Sequence, residues 1–170
     1  GLYYRDAKYV YPAHQTNSGK KDFWARGDGW IFAAFARVLA DLPENHPHRN
    51  EYLSYYQKMA RTLALCQEKE GYWTRSLLDP AFAPGYETSG TSLILYGFLW
   101  GINSGNLNEK EYGLTIEKAW NYLSKTALQA NGRVGYVQPI GEKADPDQTV
   151  SENSTGDFGV GAYLMAACEM

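Results

Sequence analysis

Apolar and polar positions divide the chain into five helical stretches of two kinds. Over residues 27–42, Trp30, Ile31, Ala34, Phe35, Val38 and Leu39 fall at nearly every angle around a helix. That pattern predicts a helix buried on most sides. Residues 88–103 read the same way through Leu93, Ile94, Leu95, Tyr96, Phe98, Leu99 and Trp100, as does 159 to the end through Val160, Ala162, Tyr163, Leu164 and Ala166. Between them lie two stretches with one apolar stripe. In 50–69, Tyr52, Tyr55, Tyr56, Met59, Leu63 and Cys66 recur at three- and four-residue spacing, with Lys58, Arg61 and Gln67 opposite. In 110–130 the stripe is Tyr112, Ile116, Ala119, Trp120 and Leu123, with Glu117, Lys118 and Lys125 facing water. The three- and four-residue period marks both as amphipathic helices.

The order buried, amphipathic, buried, amphipathic, buried repeats a hairpin. Each predicted buried helix opens on glycine and small polar residues: Gly27-Asp28-Gly29, Thr88-Ser89-Gly90-Thr91 and Ser154-Thr155-Gly156-Asp157. Gly27 and Gly90 are 63 residues apart, and Gly90 and Gly159 are 69 apart. A helix apolar all round needs enclosure, so the three form an inner layer and the amphipathic pair covers them outside. The expected fold class is all-α, of the (α/α)6-toroid type. Six hairpins of about 60 residues need about 350 residues, so these five helices, as helical hairpins, supply roughly half of such a ring.

Long connections remain at 1–23, 70–87 and 131–156. Loops of this length in a compact domain are commonly functional or disordered. These carry Tyr3, Tyr4, Tyr9, Tyr11, Tyr72, Trp73, Tyr86 and Tyr136, which favours order. Residues 132–139 read as a short extended segment stopped by Pro139.

Composition narrows the function class. Hydrophobic residues make up 44% and charged residues 21%, which excludes disorder. The net charge is −3 with no basic run, which argues against nucleic acid, and no apolar stretch approaches a membrane span. Aromatics reach 15%, with 14 Tyr and 5 Trp. So many rings fit either a sugar-binding cleft or an aromatic-rich core. Cys66 and Cys168 read as buried free thiols.

Candidate chemistry gathers where a loop enters the first inner helix: His14, Asp22, Trp24, Arg26, Asp28 and Trp30. Arg26 and Trp30 are four apart and share a helix face. A guanidinium can grip a carboxylate through two parallel hydrogen bonds, an indole offers a flat face to a sugar ring, and a helix N-terminus favours an anion. This fits an acidic-sugar site; an Arg26–Asp28 or Arg26–Asp22 ion pair beside a core Trp30 fits the same spacing. His46 and His48 flank Pro47 in a solvated turn. No residues show metal-ligand spacing, no phosphate loop is present, and no cofactor is implied. Thr88, Ser89 and Ser154 are N-cap candidates, and Glu87 and Asp157 suit helix-start capping.

The string Phe23-Trp24-Ala25-Arg26-Gly27-Asp28-Gly29-Trp30 resembles a signature of the unsaturated rhamnogalacturonyl hydrolases, glycoside hydrolase family 105, related to the family 88 unsaturated glucuronyl hydrolases. Tyr86–Thr91, Gly135–Pro139 and Ser154–Ala162 look like later blocks of the same family, in the same order. The resemblance implies that residues 1–170 are the C-terminal part of a single (α/α)6 glycoside hydrolase domain. It implies a substrate bearing a 4,5-unsaturated uronic acid, derived from rhamnogalacturonan or pectin. An acid protonates the vinyl-ether double bond, water adds at the adjacent carbon, and the resulting hemiketal collapses to release the next sugar. Arg26 then holds the carboxylate or nearby hydroxyls, Trp30 stacks on the ring, and His14, Trp24 and Asp28 complete the substrate-binding set. The acid/base aspartate of that family lies upstream of the matched stretch, so no catalytic residue is expected within it, and the chain alone is expected to be inactive. The alternative is a non-catalytic carbohydrate-binding or scaffold half-toroid. The expected partners are the acidic oligosaccharide and either the missing N-terminal half or a second copy; the expected compartment is the bacterial cytoplasm or periplasm.

Overall fold

The computed structural model describes all 170 residues and is all-helical, with α1 Ala25–Asp41, α2 Arg49–Leu65, α3 Thr88–Asn103, α4 Glu109–Tyr122 and α5 Asp157–Glu169. The predicted extended segment at 132–139 forms no strand; only isolated bridges join Leu128 to Val134 and Trp24 to Ser76. α2 ends four residues earlier than its pattern suggests. There Gln67 leaves the helix line and its Nε2 donates to the carbonyls of Gly71 and Thr115, at 2.9 Å each. α4 runs into a π-helical turn, Leu123–Ala127, where the Leu128 amide donates to the Leu123 carbonyl.

α1, α3 and α5 lie side by side as an inner layer, with α3 in the middle, α2 packed outside α1 and α4 outside α3. Only α3 is enclosed all round: Thr88 to Leu99 are all buried. This corrects the expectation of three wholly buried helices. α1 buries Ala25, Gly29, Phe32, Ala33, Ala36 and Leu39, yet leaves Trp30 and Val38 exposed. α5 buries Gly159, Ala162, Tyr163 and Ala166 and leaves Leu164 exposed. Cys66 is half-buried, but Cys168 sits exposed on that open flank of α5, so it is not the buried thiol expected.

Missing side chains set the helix spacing. A Cβ on Gly29 would lie 3.2 Å from the Gly90 carbonyl oxygen, and one on Gly90 would lie 2.9 Å from the Arg26 amide nitrogen. The starts of α1 and α3 therefore touch backbone to backbone. Further along, the Phe32 ring fills the place where Gly97 lacks a side chain. It stacks on Tyr56 of α2 at 4.8 Å, and the Tyr56 hydroxyl donates to the Gly97 carbonyl at 2.6 Å. Inner and outer layers are thus pinned through one aromatic pair.

The long loops are ordered and gather at the rim where α1, α3 and α5 begin. The Leu77 amide donates to the Phe23 carbonyl and the Ala25 amide to the Arg75 carbonyl, each at 2.9 Å. The Thr88 amide donates to the Tyr136 carbonyl, and the Val137 amide to the Ser154 carbonyl. Tyr136 sits at φ 56, a left-handed conformation uncommon for a bulky residue. It is held there by its amide bond to the Ser151 carbonyl and by the Tyr86 ring 5.1 Å away.

Candidate functional site

At this rim the start of α1 turns Trp24, Arg26 and Trp30 into one cavity of about 190 Å³, closed by Ile140, Gly141 and Phe158. Two indoles, a phenyl ring and an isoleucine form the walls, and Arg26 is the one ionisable residue lining it. Trp30 is 48% exposed, an indole face open to solvent. Trp24 is half-buried and fixed in orientation, because its Nε1 donates to Gln138 Oε1 at 2.8 Å.

Arg26 is only 4% exposed. It makes neither of the ion pairs that its spacing allowed. Nη1 donates to the Gln138 carbonyl at 2.6 Å and to Ser89 Oγ at 3.3 Å, and Nη2 donates to the Pro139 carbonyl at 2.9 Å. Its guanidinium carbon lies 4.7 Å from the Trp24 ring centre and 4.8 Å from that of Phe158, within cation–π range. Burial lowers its pKa, and the field of Glu87 opposes that shift.

Glu87 is wholly buried and accepts four hydrogen bonds: from the amides of Ser89, Gly90 and Gln138 at 3.0, 2.7 and 3.1 Å, and from Ser89 Oγ at 2.6 Å. It is the N-cap of α3. The Thr88 hydroxyl donates to the Gly135 carbonyl, and the Ser89 hydroxyl bonds to Glu87, so neither caps the helix as expected. At α5 the N-cap is Gly156 with no side-chain bond; Asp157 sits exposed in the first turn and Ser154 Oγ accepts from the Ser151 amide. A second buried guanidinium, Arg75, donates through Nη1 to the Asp145 and Gln148 carbonyls and through Nη2 to the Pro84 carbonyl. Two buried arginines and the carboxylate between them thus hold the 138–148 loop by its main chain.

His14 and Asp28 do not join the cavity. His14 Nε2 lies 2.9 Å from Asp22 Oδ2, and Asp22 also accepts from Ser76 Oγ at 2.8 Å, so the pair orders the 1–23 loop against the 70–87 loop. Asp28 is two residues from both Arg26 and Trp30. Two helical steps of about 100° turn it to the opposite face, where it accepts from the Tyr3 amide at 2.9 Å. Its other oxygen has no partner and the residue is 1% exposed. Gln138, Ile140, Gly141 and Phe158 are the site residues that sequence spacing missed. Gln138 lay in the Gly135–Pro139 block and Phe158 in the Ser154–Ala162 block, neither read as a site residue.

Burial pushes the Asp28 carboxyl from 3.8 up to about 7, although the Tyr3 amide bond works against it. Between those values the folded protein holds a proton that the unfolded chain has released, so stability falls as pH rises through that window. Asp28→Asn removes the buried charge and is expected to raise stability by about 2 kcal/mol at pH 8, with little change at pH 4. Urea midpoints at the two pH values check this; an equal effect at both would show that ionisation of Asp28 is not its cause.

The Glycosyl Hydrolase Family 88 profile matches residues 1–170. The Unsaturated 3S-rhamnoglycuronyl hydrolase of Alteromonas sp. (strain LOR) is 41% identical over 170 residues, covering 100% of this chain and 40% of that protein. A solved structure, the glycosyl hydrolase family 88 from Bacteroides vulgatus, has a TM-score of 0.95 at 64% identity and covers 99% of this chain and 48% of its own. A C. acetobutylicum glycoside hydrolase from family 105 has a TM-score of 0.75 at 25% identity, covering 99% of this chain and 52% of its own. The chain therefore spans about two-fifths to one-half of the proteins it matches.

Proposed function

The chain belongs to glycosyl hydrolase family 88, and from that premise we propose that it forms the C-terminal half of one six-hairpin domain that removes an unsaturated uronyl residue from an oligosaccharide. The cavity between Trp24, Arg26, Trp30 and Phe158 carries this reading. An exposed indole is a platform for the apolar face of a pyranose ring, and a water-poor guanidinium supplies positive field for the uronate carboxylate. The Trp24 and Phe158 rings both lie within cation–π range of that guanidinium. His14 and Asp28 take no substrate contact here, since one braces loops and the other faces away.

No carboxylate lines the cavity. Asp22 and Glu87 are buried and committed to the bonds described, and Asp28 points to the far face. The proton that a vinyl ether needs therefore comes, in this proposal, from an aspartate outside residues 1–170. That reading accounts for the open flanks as well: Val38 on α1 and Leu164 on α5 are surfaces the remainder of the domain would cover. The relatives' length, about twice this chain's, favours the rest of the polypeptide over a second copy as the cover.

Loss of the ultraviolet absorbance of the C4–C5 double bond tests the reaction. With a 4,5-unsaturated uronyl–rhamnose disaccharide, turnover is expected from the full-length polypeptide and none from residues 1–170 alone. Turnover by residues 1–170 would place the acid inside them. Binding without turnover by the full-length protein would instead support a carbohydrate-binding module.

A further inference from the structure

Resting on the reading above, we infer that Gln148 is a positioning residue for the cavity: through Gln138 and the Ile140 carbonyl, its side-chain amide holds two walls, the Trp24 indole and the Ile140–Gly141 turn, in register with each other. Gln148 lines no part of the cavity itself. A Cβ on Gly141 would lie 3.3 Å from Gln148 Nε2 and 3.5 Å from Oε1, so the amide sits directly against that turn.

The connection has one possible direction. Trp24 Nε1 donates to Gln138 Oε1 at 2.8 Å. Gln138 Nε2 donates to Gln148 Oε1 at 2.7 Å and to the Lys143 carbonyl at 3.0 Å. Gln148 Nε2 then donates to the Ile140 carbonyl at 3.1 Å. An indole N–H can only donate, and a main-chain carbonyl can only accept. Each glutamine between them must therefore turn its oxygen toward Trp24 and its NH2 toward Ile140. Flipping either one sets donor against donor at one end and acceptor against acceptor at the other.

The two glutamines divide the work. Gln138 is wholly buried, its amide donates to Glu87 Oε1 at 3.1 Å and its carbonyl accepts from Arg26. With both NH2 hydrogens also committed, it has no free polar atom with which to take up a change. Gln148 is half-buried, and Arg75 holds its main-chain carbonyl at 2.9 Å, so its side chain can be altered while the loop stays anchored. A sugar bound between Trp24 and the Ile140–Gly141 turn feels any shift of one wall against the other, and a displacement of about 1 Å at a binding site is enough to weaken productive placement.

Gln148→Glu keeps the shape and the acceptor for Gln138, but as a carboxylate it has no donor for the Ile140 carbonyl. In the full-length polypeptide acting on a 4,5-unsaturated uronyl disaccharide, it is expected to raise KM about tenfold while kcat stays within about threefold, because the relay serves binding and passes no proton to the substrate. Protonation returns an O–H for Ile140, so the KM ratio of variant to wild type, each at the same pH, is expected to narrow as pH falls toward about 4.3. Gln148→Ala cannot regain a donor, and its ratio is expected to stay flat over the same range. A Gln148→Glu KM within about twofold of wild type at neutral pH, a loss carried by kcat, or ratios for the two variants that follow pH alike overturns the assignment. Absence of turnover by the wild type overturns the proposed function and this inference with it. Turnover by the wild type with an unmoved Gln148→Glu KM overturns this inference alone.

Discussion

Glu87→Ala is expected to lower folding stability by about 3–5 kcal/mol, the range for removing one partner of a buried charged network. The carboxylate is wholly buried and accepts from three main-chain amides and one hydroxyl. Alanine orphans the amides of Ser89 and Gly90 at the α3 start and that of Gln138 in the rim loop. Each buried orphan costs about 1–3 kcal/mol, less where water can enter. The substitution also removes the negative field that partly offsets the burial-lowered pKa values of Arg26 and Arg75. Glu87→Gln keeps the shape and one acceptor oxygen, but turns an NH2 toward donors. Its expected cost is intermediate, about 2 kcal/mol. Chemical denaturation of the three proteins checks the order; an alanine variant within 1 kcal/mol of wild type would show that water replaces the carboxylate.

Much of this fold was legible from periodicity, and the reasons for the rest are physical. α3 could be placed to the residue because its neighbours on every side lie within the chain. α1 and α5 carry the same all-round apolar pattern, yet Val38 and Leu164 are exposed. The pattern records everything a helix packs against, and these 170 residues supply neighbours for one flank only. The hairpin repeat was visible in the glycines because Gly29 and Gly90 allow backbone contact between inner helices.

The candidate site divides along the same line. Trp24, Arg26 and Trp30 were found because a single helical start fixes their relation. Asp28 shares that string but faces the other way, and the 100° step per residue already implied it. Gln138, Ile140 and Phe158 lie more than 110 residues from Trp24 and reach it through loop geometry that no local pattern encodes. Of the capping candidates, Glu87 caps α3 as expected, taking the Ser89 and Gly90 amides, whereas Thr88, Ser89 and Ser154 turn their hydroxyls elsewhere and Asp157 lies one residue inside the α5 start.

Arg26→Ala in the full-length polypeptide is expected to lower kcat/KM for an unsaturated uronyl disaccharide by the equivalent of about 2–5 kcal/mol, as for truncating one partner of a buried charged contact. Two losses combine. The carbonyls of Gln138 and Pro139 lose their donor, so the loop that carries Ile140 loosens. The positive field at the cavity also disappears, and a uronate carboxylate bound there meets only aromatic walls. Arg26→Lys separates the two: an ammonium keeps the charge but lacks the planar fork that donates to both carbonyls at once. If charge dominates, lysine recovers most of the rate. If bracing dominates, lysine stays close to alanine, and part of the loss appears as a lower melting temperature. A substrate whose uronate is esterified isolates the electrostatic share, because its carbonyl lacks the charge that Arg26 would recognise. Wild type and Arg26→Ala should then differ by much less than on the free acid. Equal losses on ester and acid would make Arg26 a brace for the 138–141 segment, with the anion recognised elsewhere in the domain.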